Sequence, residues 1–183
     1  MRLKVIDNVL SKEQCQAIIN SVDNFEDDKY ITDIGKLNKY MSKEELESNM
    51  KHIPEQYGKH RKVQQAAYDY FKEWDGLPVY RSKVMKYEEG NFTTPHKDSQ
   101  WMCMSNYWKE NTNKASKDIM IIPLNDDYEG GEFTVADGKE VPQKVGSCIQ
   151  FDQSAEDVSK RLTHGVGKVT KGTRYSLVFW NFK

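Results

Sequence analysis

The sequence predicts a mainly β, α+β fold: an antiparallel sandwich backed by helices on one face. Three observations point there. The first third of the chain places apolar residues at helical spacing. After Pro78 the pattern changes to short runs of strand character. Between those runs stand turn signals at close intervals: Glu89-Gly90-Asn91, Asn125-Asp126-Asp127, Gly130-Gly131, Asp137-Gly138 and Lys171-Gly172.

The elements follow in order. Residues 3 to 10 alternate weakly and predict a short strand. Ser11 with Gln14 three residues later forms a capping box. Behind it Cys15, Ile18, Ile19 and Val22 lie on one helical face. Residues 25 to 41 show no periodicity, and Ser42 with Glu45 marks the start of a second, short helix. Val63, Ala66, Ala67, Tyr70, Phe71 and Trp74 form an apolar stripe that predicts a longer helix, ended by Gly76-Leu77-Pro78. Strands are expected at 79 to 88, 117 to 124, 131 to 136, 145 to 151 and 173 to 181. No internal repeat is visible.

The 183 residues suit one domain, 1–183, with a substantial core. A chain of this size buries roughly 70% of its unfolded surface and needs no disulfide to fold. Cys15, Cys103 and Cys148 are widely spaced and odd in number, with no CxxC pair. A disulfide scaffold and a zinc ribbon are therefore disfavoured, and reduced thiols in the cytoplasm are expected. The opening MRLKVIDNVLSKEQ has no long apolar run, which disfavours a signal peptide and a membrane span. Net charge is −1, and the densest basic stretch, KENTNKASK at 109 to 117, resembles a polar loop. The missing basic face lowers the expectation of a nucleic-acid partner.

In PHKDSQ, at 95 to 100, two metal-ligand types, His96 and Asp98, stand two residues apart. On a strand that spacing puts both on one face. Such a pair arises readily by chance, and a solvated turn is the plain alternative. A third ligand candidate is His164, in RLTHGVGKVTKGTRYSLVFW; His52 and His60 read as exposed residues. Ten residues after His164 comes Arg174, sharing one strand face with Ser176, Val178 and Trp180. A buried arginine calls for an anion, and its fork suits a carboxylate. Two histidines and a carboxylate would make a facial triad, the arrangement that suits non-haem Fe(II) because three positions stay open.

With these residues in place, the chain resembles the Fe(II)- and 2-oxoglutarate-dependent dioxygenases, specifically the prolyl 4-hydroxylase-like group. The resemblance runs through VIDNVLSKEQC, VMKYEEGNFTTPHKD, IIPLNDDYEGGEFTV, VGSCIQFD and THGVGKVTKGTRYSLVFW, and so covers nearly the whole chain. It implies a double-stranded β-helix, a cupin-like jelly roll, over residues 79–183. Residues 1–78 would then supply mostly helical support, with a candidate lid at 25 to 58. It implies His96, Asp98 and His164 as iron ligands, and Arg174 as partner of the distal carboxylate of 2-oxoglutarate. Tyr87 would donate a hydrogen bond to the cosubstrate. Ser176 would either assist Arg174 or serve as a small packing residue. Arg174 stands where many collagen-type enzymes have Lys, and Pro123 where the family often has an aromatic residue.

The implied reaction consumes 2-oxoglutarate and O2 at Fe(II), releases succinate and CO2, and hydroxylates a substrate. Ascorbate is a candidate stimulant. The expected substrate is a proline-containing peptide or protein. The alternatives are the same chemistry on a free amino acid, another small molecule or a nucleobase, and a non-catalytic metal- or ligand-binding barrel. In the loop at 99 to 116, Trp101, Tyr107 and Trp108 either hold a peptide by ring packing or close the barrel end. Glu132, beside Gly130-Gly131, either supports the site or is solvated.

Overall fold

The computed structural model describes residues 3–23, 62–64, 73–97, 116–153, 155 and 158–182. Asp98, the three loop aromatics, His52, His60, Cys103, the Ser42–Glu45 helix start and the stretch at 25 to 58 lie outside them.

Within the described residues the chain runs β1 (Leu3–Ile6), α1 (Lys12–Asp23), β2 (Lys62–Gln64), β3 (Glu73–Trp74), β4 (Leu77–Tyr87), β5 (Thr93–His96) and β6 (Ser116–Pro123). It continues through β7 (Glu129–Gly130), β8 (Phe133–Val135), β9 (Lys139–Glu140), β10 (Cys148–Asp152), β11 (His164–Val166), β12 (Val169–Lys171) and β13 (Arg174–Phe182). The larger sheet has the order β1-β10-β6-β13-β4-β2, with β3 also paired to β4; the smaller has the order β5-β11-β8-β9. A third, two-stranded sheet joins β12 to β7. Each pairing in these sheets is antiparallel. The chain passes from β4 in the large sheet to β5 in the small one, and back again at β6, β8, β10, β11 and β13. That alternation between facing sheets is the double-stranded β-helix that the family resemblance implies.

Strand alternation divides the core in two. On one face of the large sheet, Val84, Met120, Ile122, Leu177 and Phe179 pack against Leu10, Cys15, Ile18 and Ile19 of the α1 region. On the other, Met85, Tyr87, Ile119, Ile121, Ile149, Phe151, Val178 and Trp180 meet Phe133, Val135, Val141, Leu162 and Val169. The second cluster fills the space between the sheets. Cys15 and Cys148 are free and fully buried on the helix side. Burial raises both thiols, that of Cys148 to about 12.

The capping box forms as expected. Gln14 N donates to Ser11 Oγ at 3.2 Å, and Ser11 N donates to Gln14 Oε1 at 2.8 Å. The helix is anchored to the sheet at Gly146, whose carbonyl accepts from Val9 N and Leu10 N and whose N–H donates to Pro123 O. Gly146 has φ +75°, and a Cβ there would collide with the Leu10 carbonyl oxygen.

One expectation fails. Both described ends of the apolar stripe from Val63 to Trp74 are strand, not helix: Val63 pairs with Met85, and Trp74 pairs with Leu77. The supposed helix stop is a two-residue hairpin loop. Asp75 and Gly76 both have positive φ, 50° and 71°, as a type I′ turn requires. Val63 and Trp74 are also good strand formers, so tertiary pairing overrides an i, i+3, i+4 pattern that counts apolar positions only. Among the described residues, no helix is long and apolar enough to cross a membrane.

Ser11→Ala should lower unfolding stability by about 1 kcal/mol, a fall in Tm of roughly 2–4 °C for a chain of this size. Gly146→Ala should cost more, about 1–3 kcal/mol, from overpacking on the helix anchor and a left-handed backbone. Chemical denaturation of the two variants beside the wild type checks both values and their order.

Candidate active site

Two short strands of the smaller sheet create the centre of the site. β5 and β11 pair so that His96 and His164 are direct register partners. Their rings lie 4.4 Å apart, centroid to centroid, at 51°. His96 Nδ1 is 2.9 Å from the carbonyl of Thr94, and His164 Nδ1 is 3.1 Å from that of Leu162. A carbonyl can only accept, so in both bonds Nδ1 carries the hydrogen and the lone pair of the neutral ring lies on Nε2. This is the tautomer and backbone support typical of metal-binding histidines. His164 is buried, with Phe151 at 5.0 Å and Phe133 at 6.1 Å between ring centroids. Next to His96, Lys97 Nζ donates to the Ser159 carbonyl and ties the end of β5 to the turn at Val158–Lys160. Among the described residues no group of three metal-ligand side chains assembles; the structure brings together two of the three ligands the sequence suggests, and the third, Asp98, lies outside the described residues.

The second half of the site is Arg174, at the start of β13. It is 1% exposed, the largest fully buried side chain among the described residues. Nη1 donates to Ser176 Oγ at 3.1 Å and Nη2 to Gln143 Oε1 at 2.7 Å. The guanidinium carbon stands 5.3 Å from the centroid of the Tyr87 ring, its register partner on β4. Nε is buried and has no acceptor among the described residues. Asn125, in the Asn-Asp turn after β6, holds the strand on both sides of this arginine: its Nδ2 donates to Thr173 O at 2.7 Å and its Oδ1 accepts from Tyr175 N at 2.8 Å. Gly131 explains the paired glycines. Its φ is +67°, and a Cβ there would lie 3.0 Å from Arg174 Cδ and from Val169 Cγ2. The adjacent Glu132 is exposed, while Pro123 is buried opposite Ser176.

Tyr87 links the two halves. Its hydroxyl is 2.8 Å from Thr93 Oγ1, and Thr93 opens the strand that ends in His96. The sequence suggests this hydroxyl as a donor to the cosubstrate; in the structure the ring face underlies Arg174 and the hydroxyl meets Thr93. Two residues of the site carry no sequence signal. Gln143 lies in the connection between β9 and β10, in the stretch VPQKVGS, where neither period nor motif marks it. Gln153 is 2% exposed, and its Nε2 donates at 3.2 Å to the Leu162 carbonyl, the same oxygen that orients His164. Its Oε1 has no partner among the described residues.

Residues 82–182 match the family model of the 2OG-Fe(II) oxygenase superfamily. The chain belongs to this superfamily. It is accordingly an oxidoreductase whose chemistry uses Fe(II), 2-oxoglutarate and O2. The donor set fits that metal: two imidazoles with Nε2 lone pairs, held from behind by backbone carbonyls. The oxygenase fold is shared with solved structures of low identity. A prolyl-4-hydroxylase from Pseudomonas putida aligns with TM-score 0.59 at 15% identity, over 99% of this chain and 92% of its own. A prolyl hydroxylase from Trichoplax adhaerens, in complex with a hypoxia inducible factor oxygen degradation domain peptide fragment, aligns with TM-score 0.54 at 12% identity, over 98% and 83%. The viral collagen prolyl hydroxylase of Paramecium Bursaria Chlorella virus-1, in its 2OG complex, aligns with TM-score 0.52 at 13% identity, over 100% and 96%. No curated protein sequence matches this oxygenase.

Gly131→Ala should displace the Arg174 side chain and strain a left-handed residue, at a cost of about 1–3 kcal/mol. The expected outcome is a lower Tm together with weaker 2-oxoglutarate binding, measured by calorimetry on the Mn(II)-loaded protein without oxygen. Gly138→Ala is the control. It also has positive φ, at 87°, but nothing within 4 Å of an added Cβ, so it should lower Tm alone.

Proposed function

We propose that this oxygenase, acting as one domain over residues 1–183, hydroxylates prolyl residues in a peptide or protein and releases succinate and CO2. His96, Asp98 and His164 hold the iron. Arg174, assisted by Ser176, receives the distal carboxylate of 2-oxoglutarate, and Tyr87 shapes the same pocket. The observation that carries the reading is the pairing of two histidines in the metal-binding tautomer with a buried arginine whose partners among the described residues are uncharged, joined through Tyr87 and Thr93. The prolyl substrate is supported by the shared fold with three prolyl hydroxylases, one of them bound to a peptide fragment. Trp101, Tyr107 and Trp108 are the proposed peptide contacts. We place the enzyme in the cytoplasm, with ascorbate as a stimulant.

The chain's own residues have separable tasks. The carbonyls of Thr94 and Leu162 keep both imidazoles turned with Nε2 available. Phe133 and Phe151 shield His164 from water. Arg174 orients the cosubstrate through a charge-assisted fork. Bound Fe(II), with 2-oxoglutarate and O2, supplies the oxidising chemistry that couples decarboxylation to hydroxylation.

Arg174→Ala should weaken 2-oxoglutarate binding to the Mn(II) protein by about a hundredfold or more, from loss of a buried charge-assisted contact. Metal binding should persist in that variant and fall sharply in His96→Ala and His164→Ala. An unchanged 2-oxoglutarate dissociation constant in Arg174→Ala overturns the cosubstrate assignment. For the substrate, proline-containing peptides and free proline are incubated with the iron enzyme and assayed for succinate and for a mass gain of one oxygen. Oxygen incorporation into peptides supports the prolyl reading. Incorporation into the free amino acid alone overturns it.

A further inference from the structure

The guanidinium of Arg174 is buried among neutral groups. It touches the Ser176 hydroxyl, the Gln143 amide oxygen and the Tyr87 ring, and no carboxylate among the described residues approaches it. Two of these three lie on the same pair of strands as Arg174, where strand alternation delivers them. Gln143 does not. It reaches in, half-buried, from the connection between β9 and β10.

The orientation of its amide follows from its partners. Arginine has only donors, so Oε1 must face Nη2, at 2.7 Å. The Gly131 carbonyl only accepts, so Nε2 must face it, at 3.4 Å. A glutamine satisfies both at once. A glutamate would satisfy the arginine and set a carboxylate oxygen against the Gly131 carbonyl. Glutamine is therefore the residue that fixes the guanidinium plane without neutralising its charge. Counting the N–H groups, Ser176 and Gln143 take one each from Nη1 and Nη2. These two bonds leave three N–H hydrogens, one on Nε and one on each Nη, and a guanidinium offers a carboxylate two parallel N–H donors at a time. Nε has no acceptor among the described residues.

We propose that Gln143 is a positioning residue for the cosubstrate: it clamps the Arg174 fork in the orientation that reads a distal carboxylate, and as an amide it leaves the arginine's charge for that carboxylate. The inference rests on the cosubstrate role of Arg174 proposed above. It makes Gln143 a determinant of the preference for a 2-oxo diacid over a 2-oxo monoacid of the same chain length.

The test compares dissociation constants of 2-oxoglutarate and 2-oxopentanoate, which lacks only the distal carboxylate, on Mn(II)-loaded protein without oxygen. In Gln143→Glu an internal carboxylate competes for the fork, and 2-oxoglutarate should bind on the order of a hundredfold more weakly, as for loss of a buried charge-assisted pair. Binding of 2-oxopentanoate should not change. In Gln143→Leu the fork loses its clamp but keeps its charge, and the loss for 2-oxoglutarate should be about tenfold, again with 2-oxopentanoate unaffected. Should the Glu variant not fold, the Leu variant decides alone. Equal weakening of both ligands would mean that Gln143 merely supports the fold, and no change for 2-oxoglutarate would mean that it has no part in the pocket; either result overturns the proposal. Arg174→Ala is measured alongside. If it leaves 2-oxoglutarate binding intact, the reading of Arg174 fails; if it weakens binding while both Gln143 variants remain like wild type, only the inference about Gln143 fails.

Discussion

β13 is hydrogen-bonded on both sides, to β4 along one edge and to β6 along the other. Its backbone is committed over most of its length, so its side chains must alternate without slack. Arg174, Ser176, Val178 and Trp180 therefore face the space between the sheets, while Tyr175, Leu177, Phe179 and Asn181 face α1 and the hairpin of β3 and β4. A slip of one residue would send the arginine into the helix-side core and turn Tyr175, Leu177 and Phe179 into the space between the sheets. Asn125 guards against that slip at the one end where the strand begins, bonding the backbone on each side of Arg174. The cationic pocket is thus a product of sheet register before it is a product of local sequence.

The two faces of the large sheet treat polar groups differently. On the helix side a connected network closes on itself. Gln150 accepts from the Trp74 indole and donates to Asp75 and Asp118, and Asn181 accepts from Asp118 N and donates to the Trp74 carbonyl. Between the sheets the bonding is left incomplete. The buried side-chain atoms without a partner among the described residues are Arg174 Nε and Gln153 Oε1. One belongs to the arginine pocket; the other belongs to a side chain that shares the Leu162 carbonyl with His164. Unsatisfied buried groups are uncommon in folded proteins, and they gather here on the side where chemistry is expected.

In the large sheet β4, β6, β10 and β13 were readable because they are long enough to show period and their ends carry turn residues. The α1 helix was readable because Ser11 and Gln14 cap it and Cys15, Ile18 and Ile19 repeat at helical spacing. β5 and β11 were not readable as strands. They are four and three residues long and contain Pro95 and Gly165, so no alternation develops. Their histidines stood out only through residue type, and their meeting depends on pairing between segments some seventy positions apart. The stripe from Val63 to Trp74 misled for the opposite reason: the pattern was present, but Asp75-Gly76 formed a hairpin turn where Gly76 had looked like a helix end. Gln143 was invisible because its part depends entirely on which backbone carbonyl and which cation the fold sets on either side of it.

The arginine pocket also bears on how long the folded molecule persists. A buried cation whose Nε–H lacks an acceptor is a debit in the conformational equilibrium, and none of the described residues removes it. An external carboxylate that does so binds the native chain and not the unfolded one. The folded population then rises with the concentration of that anion, in proportion to the logarithm of its occupancy term. Proteases and thermal aggregation act on the opened chain, so a cell rich in such a diacid would retain more of this protein than a starved one, with no change in its synthesis.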